Sequence, residues 1–140
     1  MKVKVVMNVG VWGEVRKKLN TIQLVLFDDI AFRIKNNLAT PTANGSIDLY
    51  MNGSLVKSLP FTPDNITDEE LANGRSIKVT VQDLTTETYD FNEMRLHSAV
   101  SGYDGSGDPK DYAIITYTET QTKPSDQALI VEWTLNFVRV

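Results

Sequence analysis

The residues best equipped for chemistry gather in one stretch. Asp104-Gly105-Ser106-Gly107-Asp108-Pro109-Lys110-Asp111 spaces oxygen-bearing side chains among glycines. In a tight turn such alternation lets several hard oxygens converge on one hard cation. Asp104, Ser106, Asp108 and Asp111 are therefore the candidate ligands, and calcium the candidate ion. The stretch departs from an EF-type loop, because Pro109 stands where that loop needs Gly and Ile115 where it needs a bidentate Glu. Asp, Gly, Ser and Pro are also ordinary turn residues, and a solvated turn is the reading the sequence favours.

The remaining reactive side chains form no catalytic set. His97 is the single histidine and falls in an apparent strand beside Ser98, with no Ser/His/Asp arrangement to join. Asp28-Asp29 is a carboxylate pair, but neighbours on a helix point about 100° apart and do not converge on one substrate. The chain has no cysteine, which excludes disulfides, thiolate nucleophiles and Cys-based zinc sites. The expectation is a protein that is not an enzyme, with no resident cofactor other than the candidate calcium. Asn44-Gly45-Ser46, Asn52-Gly53-Ser54 and Asn65-Ile66-Thr67 match glycosylation sequons, and turn formation accounts for the two Asn-Gly pairs without sugar.

Composition narrows the partners. The net charge of −4 and the absence of a basic cluster, Arg16-Lys17-Lys18 aside, exclude a nucleic-acid surface. No stretch approaches the ~20 apolar residues of a membrane helix. The segment Met1–Trp12 has lysines at 2 and 4, but its apolar run is broken by Asn8 and meets no small-residue cleavage site. It is expected to be an extended arm or strand of the mature protein, over residues 1–13, rather than a signal peptide. Residues 14–140 are then expected to form a single β-rich domain, since 140 residues suit one core.

The elements that must position these residues are mainly strands. Val15, Leu19, Ile22, Leu26, Ile30 and Ile34 recur at steps of three and four, which predicts an amphipathic helix over 14–37, although a strand over 22–34 also fits. Asn52-Gly53 between two apolar runs predicts a hairpin, with Tyr50 opposite Leu55, Leu49 opposite Val56 and Asp48 opposite Lys57. Ile47, Leu49, Met51 and Val56 are expected on its core face. Thr67 and Glu70 match a capping box and Gly74 a stop, predicting a short helix near 68–73. Strands are expected at 76–82, 88–98, 112–121 and 127–138. The phase of 88–98 leaves room for a bulge, with Phe91 or Met94 inward. In the last strand Leu129, Val131, Trp133, Leu135 and Phe137 alternate with polar residues. The expected fold is mainly β: an antiparallel β-sandwich or small barrel of six to seven strands, with one N-terminal amphipathic helix.

This order, ending on Ala128-Leu129-Ile130-Val131-Glu132-Trp133-Thr134-Leu135-Asn136-Phe137, resembles small virion structural proteins of tailed bacteriophages and archaeal viruses. Their tail, fibre-attachment and capsid-associated subunits often close on such a strand. The resemblance is one of pattern over most of the chain. It implies a β-sandwich subunit of a symmetric homo-oligomer, in a virion assembled in the host cytoplasm, whose partners are copies of itself and other structural proteins. The contacts expected are the arm (Val3, Val5, Val9, Val11, Trp12) and the broad apolar face of the helix (Leu24, Phe27), together with edge strands. The competing reading is a monomeric carbohydrate-binding or adhesin-like module, using Tyr50, Tyr103, Tyr112 or Tyr117 near the 101–111 loop, with or without calcium.

Overall fold

A computed structural model describes residues 3–11, 14–17, 21–22, 45–98 and 110–139, with side chains over 45–97 and 111–138. Ten strands occur among them. They are β1 (Val3–Val11), β2 (Glu14–Lys17), β3 (Thr21–Ile22), β4 (Gly45–Met51), β5 (Ser54–Phe61), β6 (Ile66–Leu71), β7 (Gly74–Asp83), β8 (Tyr89–Ser98), β9 (Lys110–Lys123) and β10 (Leu129–Arg139). They build two five-stranded sheets, ordered β2-β1-β10-β7-β6 and β3-β9-β8-β4-β5. Every pairing is antiparallel. Both orders run from edge to edge, so neither sheet closes into a barrel among the described residues.

The β4–β5 hairpin turns on Asn52 and Gly53, whose φ angles of 49° and 82° are both positive. That is the backbone a two-residue turn of matching twist requires. Tyr50 faces Leu55 as expected, but a bulge then shifts the register, so Leu49 faces Lys57 and Asp48 faces Ser58. The extra residue on β5 is Val56, which is left 40% exposed instead of joining the core. Asp48 consequently meets hydroxyls rather than Lys57. Its Oδ1 accepts hydrogen bonds from Ser46 Oγ at 2.7 Å and Ser58 Oγ at 2.6 Å. A second register shift, between Phe91 and Glu93, where β9 inserts residues 117–120 opposite Asn92, accompanies the burial of Phe91, Met94 and Leu96 together. The Asn92 side chain clamps the hairpin turn: its Oδ1 accepts from the Asn52 amide at 3.1 Å, and its Nδ2 donates to Asn52 Oδ1 at 2.9 Å.

One core draws on both sheets. Val79, Val81, Leu129, Val131, Trp133 and Leu135 come from the first sheet. Ile47, Leu49, Leu59, Phe61, Phe91, Met94, Leu96, Ala113, Ile115 and Tyr117 come from the second. Trp133 has no exposed surface, as the alternation in β10 predicts for a core position. Phe91 sits between two other rings, with Tyr117 edge-on at 6.2 Å and Tyr89 tilted at 6.4 Å.

Ten strands replace the expected six to seven, and two expected helices change. Residues 14–17 and 21–22, inside the expected helix 14–37, are strands β2 and β3. Val15 is paired opposite Gly10 at a sheet edge, so ladder hydrogen bonds override its helical spacing there. The short helix near 68–73 is also replaced by a strand. Ile66–Leu71 pairs with β7 along its length, from Ile66 opposite Val79 to Leu71 opposite Gly74. Gly74 opens a strand after the two-residue turn Ala72-Asn73, and does not cap a helix. The capping geometry that does form is earlier, at the 3₁₀ turn Pro63–Asn65, where Asn65 Oδ1 accepts from the Thr62 amide at 2.9 Å. Residues 3–11, within the segment expected as an extended arm or strand, form strand β1, paired with β10 from Val3 opposite Arg139 to Val11 opposite Val131. Removing them would strip hydrogen bonds from the strand that carries Trp133.

Candidate functional site

The β7–β8 connection builds a dense polar junction. Asp83 ends β7 on the inward parity of Val79 and Val81, and is almost wholly buried. Its Oδ1 accepts from the Thr85 amide at 2.9 Å and the Thr85 hydroxyl at 2.6 Å. Its Oδ2 accepts from the Tyr89 hydroxyl at 2.7 Å and lies 3.9 Å from Lys57 Nζ. Burial alone would raise the Asp83 pKa, but these hydrogen bonds and the Lys57 charge together bring it down to about 2. Tyr89 is pushed the other way, by burial first and then by donating to that carboxylate.

Lys123 closes the same junction from β9. It is fully buried, and its Nζ donates to the carbonyl oxygens of Thr85 at 2.7 Å, Glu87 at 2.8 Å and Pro124 at 3.1 Å. A buried ammonium is tolerated only when its protons are all spoken for, and three carbonyls meet that demand. Lys57 on β5 completes the set. Its Nζ donates to Glu87 Oε2 at 2.9 Å, and that hydrogen bond raises its pKa.

Exposed apolar side chains lie close to this junction along the chain. Among the described residues the exposed large hydrophobic side chains are Leu55 at 55%, Val56 at 40% and Leu84 at 72%. Leu55 and Val56 immediately precede Lys57, and Leu84 follows Asp83, the residues that the ion pair joins. Leu55 stands opposite Tyr50 on the outer face of its sheet, whereas Lys57 stands opposite the buried Leu49, so the ion pair and Leu55 lie on different faces of β5. That strand ends its sheet, so one side of its backbone is unpaired among the described residues.

A second network lies on the polar face of the other strands of that sheet. Arg95 stacks over the Tyr50 ring at 4.0 Å from the centroid, a cation–π contact. Its Nε donates to Glu93 Oε2 at 2.9 Å, and its Nη1 reaches Asp111 Oδ2 at 3.4 Å. The other oxygen of Asp111 meets His97 Nδ1 at 2.8 Å. Burial raises the Tyr50 pKa, and Arg95 partly offsets it. These groups satisfy one another and tie β4, β8 and β9 together, so the arrangement is that of a structural brace.

Of the expected metal ligands, Asp111 is described and both its oxygens are engaged by His97 and Arg95. Asp104, Ser106 and Asp108 lie outside the described residues. No group of three His, Asp or Glu able to hold a metal occurs among the described residues. Of the expected contacts, Val3, Val5, Val9 and Val11 have their backbone in β1, the last two opposite Trp133 and Val131. Trp12, Leu24 and Phe27 lie outside the described residues. Of the expected tyrosines, Tyr117 is buried in the core, Tyr50 and Tyr112 are half-buried, and Tyr103 lies outside the described residues.

Sequence reasoning missed the Asp83–Lys123 junction, although a signal was present. Asp83 continues the apolar row Ile77, Val79, Val81, and Lys123 continues the row Ala113, Ile115, Tyr117. A charge at the end of an inward row must be paired. A further feature lies on the outer face of the first sheet, an open depression of about 430 Å³ lined by Thr67, Asp68, Glu69, Ser76, Lys78 and Thr134. No described helix is long and apolar enough to cross a membrane. Comparison with protein-family models, curated proteins and solved structures found no match for this chain.

Proposed function

We propose that this chain is a non-catalytic structural subunit, a β-sandwich that assembles with copies of itself through the open edge at β5. The observation that carries the reading is the exposure of Leu55 and Val56 on the strand that ends its sheet. An unpaired strand offers main-chain donors and acceptors to a partner, and adjoining apolar side chains supply burial when it docks. Burying a leucine or valine side chain contributes about 1.5–3 kcal/mol each. The resemblance to virion subunits points to a particle of that kind as the assembly.

The test is the mass of the intact chain across concentration, by light scattering and sedimentation. The expected result is an oligomer that reverts to the 15.7 kDa monomer in a Leu55→Lys/Val56→Lys double variant. A wild-type chain that stays monomeric throughout, or a double variant that assembles as well as wild type, refutes assembly through β5. A concentration-independent monomer would instead favour a ligand-binding module.

A further inference from the structure

The outer face of the first sheet carries two parallel rows. In one, Thr67, Lys78 and Thr134 stand side by side across β6, β7 and β10. In the next, Glu69, Ser76 and Asn136 do the same. The rows are two residues apart along the strands, about 7 Å. All of these residues except Asn136 line the open depression.

The two rows differ in what they offer. Lys78 is half-buried and makes no ion pair among the described residues. Lys78 is flanked in the sheet by two threonines that line the same depression, so one charged and two hydroxyl donors belong to one row. Such a set suits an oxyanion. The neighbouring row presents the Glu69 carboxylate as an acceptor, with the Ser76 hydroxyl beside it. Asp68 adds little free charge, because Arg75 donates to its Oδ2 from both Nε, at 2.8 Å, and Nη2.

An oxyanion site one row from an acceptor site matches a ligand bearing a carboxylate on one side and hydroxyls on the other. We propose that this depression binds an acidic sugar, its carboxylate on Thr67, Lys78 and Thr134 and its ring hydroxyls on Glu69 and Ser76. The site is on the opposite sheet from β5 and does not depend on assembly.

The experiment is a calorimetric and NMR titration of the intact chain with three probes: trigalacturonate, its methyl ester and sodium acetate. The expected result is binding of the acid form, with the ester and acetate each at least about tenfold weaker, the loss that one charge-assisted hydrogen bond predicts. Lys78→Gln should weaken the acid form about tenfold and leave the ester unchanged. Glu69→Gln should weaken the sugar while strengthening acetate. Rising salt should weaken the acid form alone. No binding of the acid form up to about 10 mM, a scale that marks affinities too weak to be specific, overturns the proposal. Equal binding of acid and ester, or an unchanged Lys78→Gln, also overturns it. Acetate binding as tight as the sugar overturns the assignment of a sugar.

Discussion

Asp83 should make stability fall in acid by a definite amount. Its carboxylate is ionised in the folded state down to about pH 2, against an ordinary value of 3.8. A depressed folded pKa contributes stability that is complete above the unfolded value and disappears as pH falls through the folded one. The window is therefore pH 4 to 2. The difference of roughly 1.8 units, at 1.36 kcal/mol per unit, amounts to about 2 kcal/mol. Asp83→Asn supplies the reference, since an amide of the same size cannot titrate. Urea unfolding followed by tryptophan fluorescence measures both proteins, because Trp133 is fully buried. At pH 6 wild type should exceed Asp83→Asn by about 2 kcal/mol, a midpoint difference near 1 M urea. At pH 2 the two should nearly coincide. A gap that is the same at pH 2 as at pH 6 refutes the account, because the carboxylate would then stabilise through packing rather than charge.

Two further substitutions test the frame around that junction. Lys123→Met replaces the side chain with an unbranched apolar one that is one atom shorter and leaves three carbonyls without their donor, offset in part by the relieved desolvation of the ammonium. A loss of about 2–4 kcal/mol is expected, read as a drop of roughly 5–15 °C in Tm, and an unchanged Tm would show that water replaces the ammonium at no cost. Gly74→Ala places a Cβ against the Phe137 carbonyl oxygen and 2.8 Å from Val138 Cα, both backbone that cannot swing aside. It should cost about 1–3 kcal/mol in urea unfolding, while a neutral result would mean that β7 and β10 separate freely at that end.

Legibility in the sequence followed how local each feature is. The Asn52-Gly53 turn and the alternation of β10 are set by residues within a few positions, and both are present in the fold. The register beyond the turn is not readable locally, because the residues around the bulge at Val56 make contacts far along the chain, such as Lys57 to Glu87 thirty residues away. Strand β6 was read as a helix for a related reason. Ile66-Thr67-Asp68-Glu69-Glu70-Leu71 has apolar residues only at its ends, so no period of two survives, and its charges suit a helix start. Only the pairing with β7 makes it a strand. The same limit applied to the candidate site. Asp83, Lys57 and Lys123 come from three strands, and nothing in their spacing announces that they meet.

The two edges nearest that site are protected in different ways, and the difference bears on assembly. Strand β6 ends the first sheet and carries Asp68, Glu69 and Glu70, all exposed. Pairing two copies there across a two-fold axis would set carboxylates against carboxylates, with Arg75 already committed to Asp68. Strand β5 ends the second sheet and offers no such repulsion. Its one charge, Lys57, is neutralised within the chain by Glu87 and Asp83. What limits β5 is Pro60, which has no amide proton to give. The bulge at Val56 breaks the spacing of that edge as well, so a partner strand meets regular backbone only in short pieces. The bulge is also where Leu55 and Val56 are exposed, so hydrogen bonding and apolar burial would have to be satisfied together there. The bulge and Pro60 interrupt the edge at fixed places, and such irregularities oppose the sliding of register that a symmetric assembly must avoid.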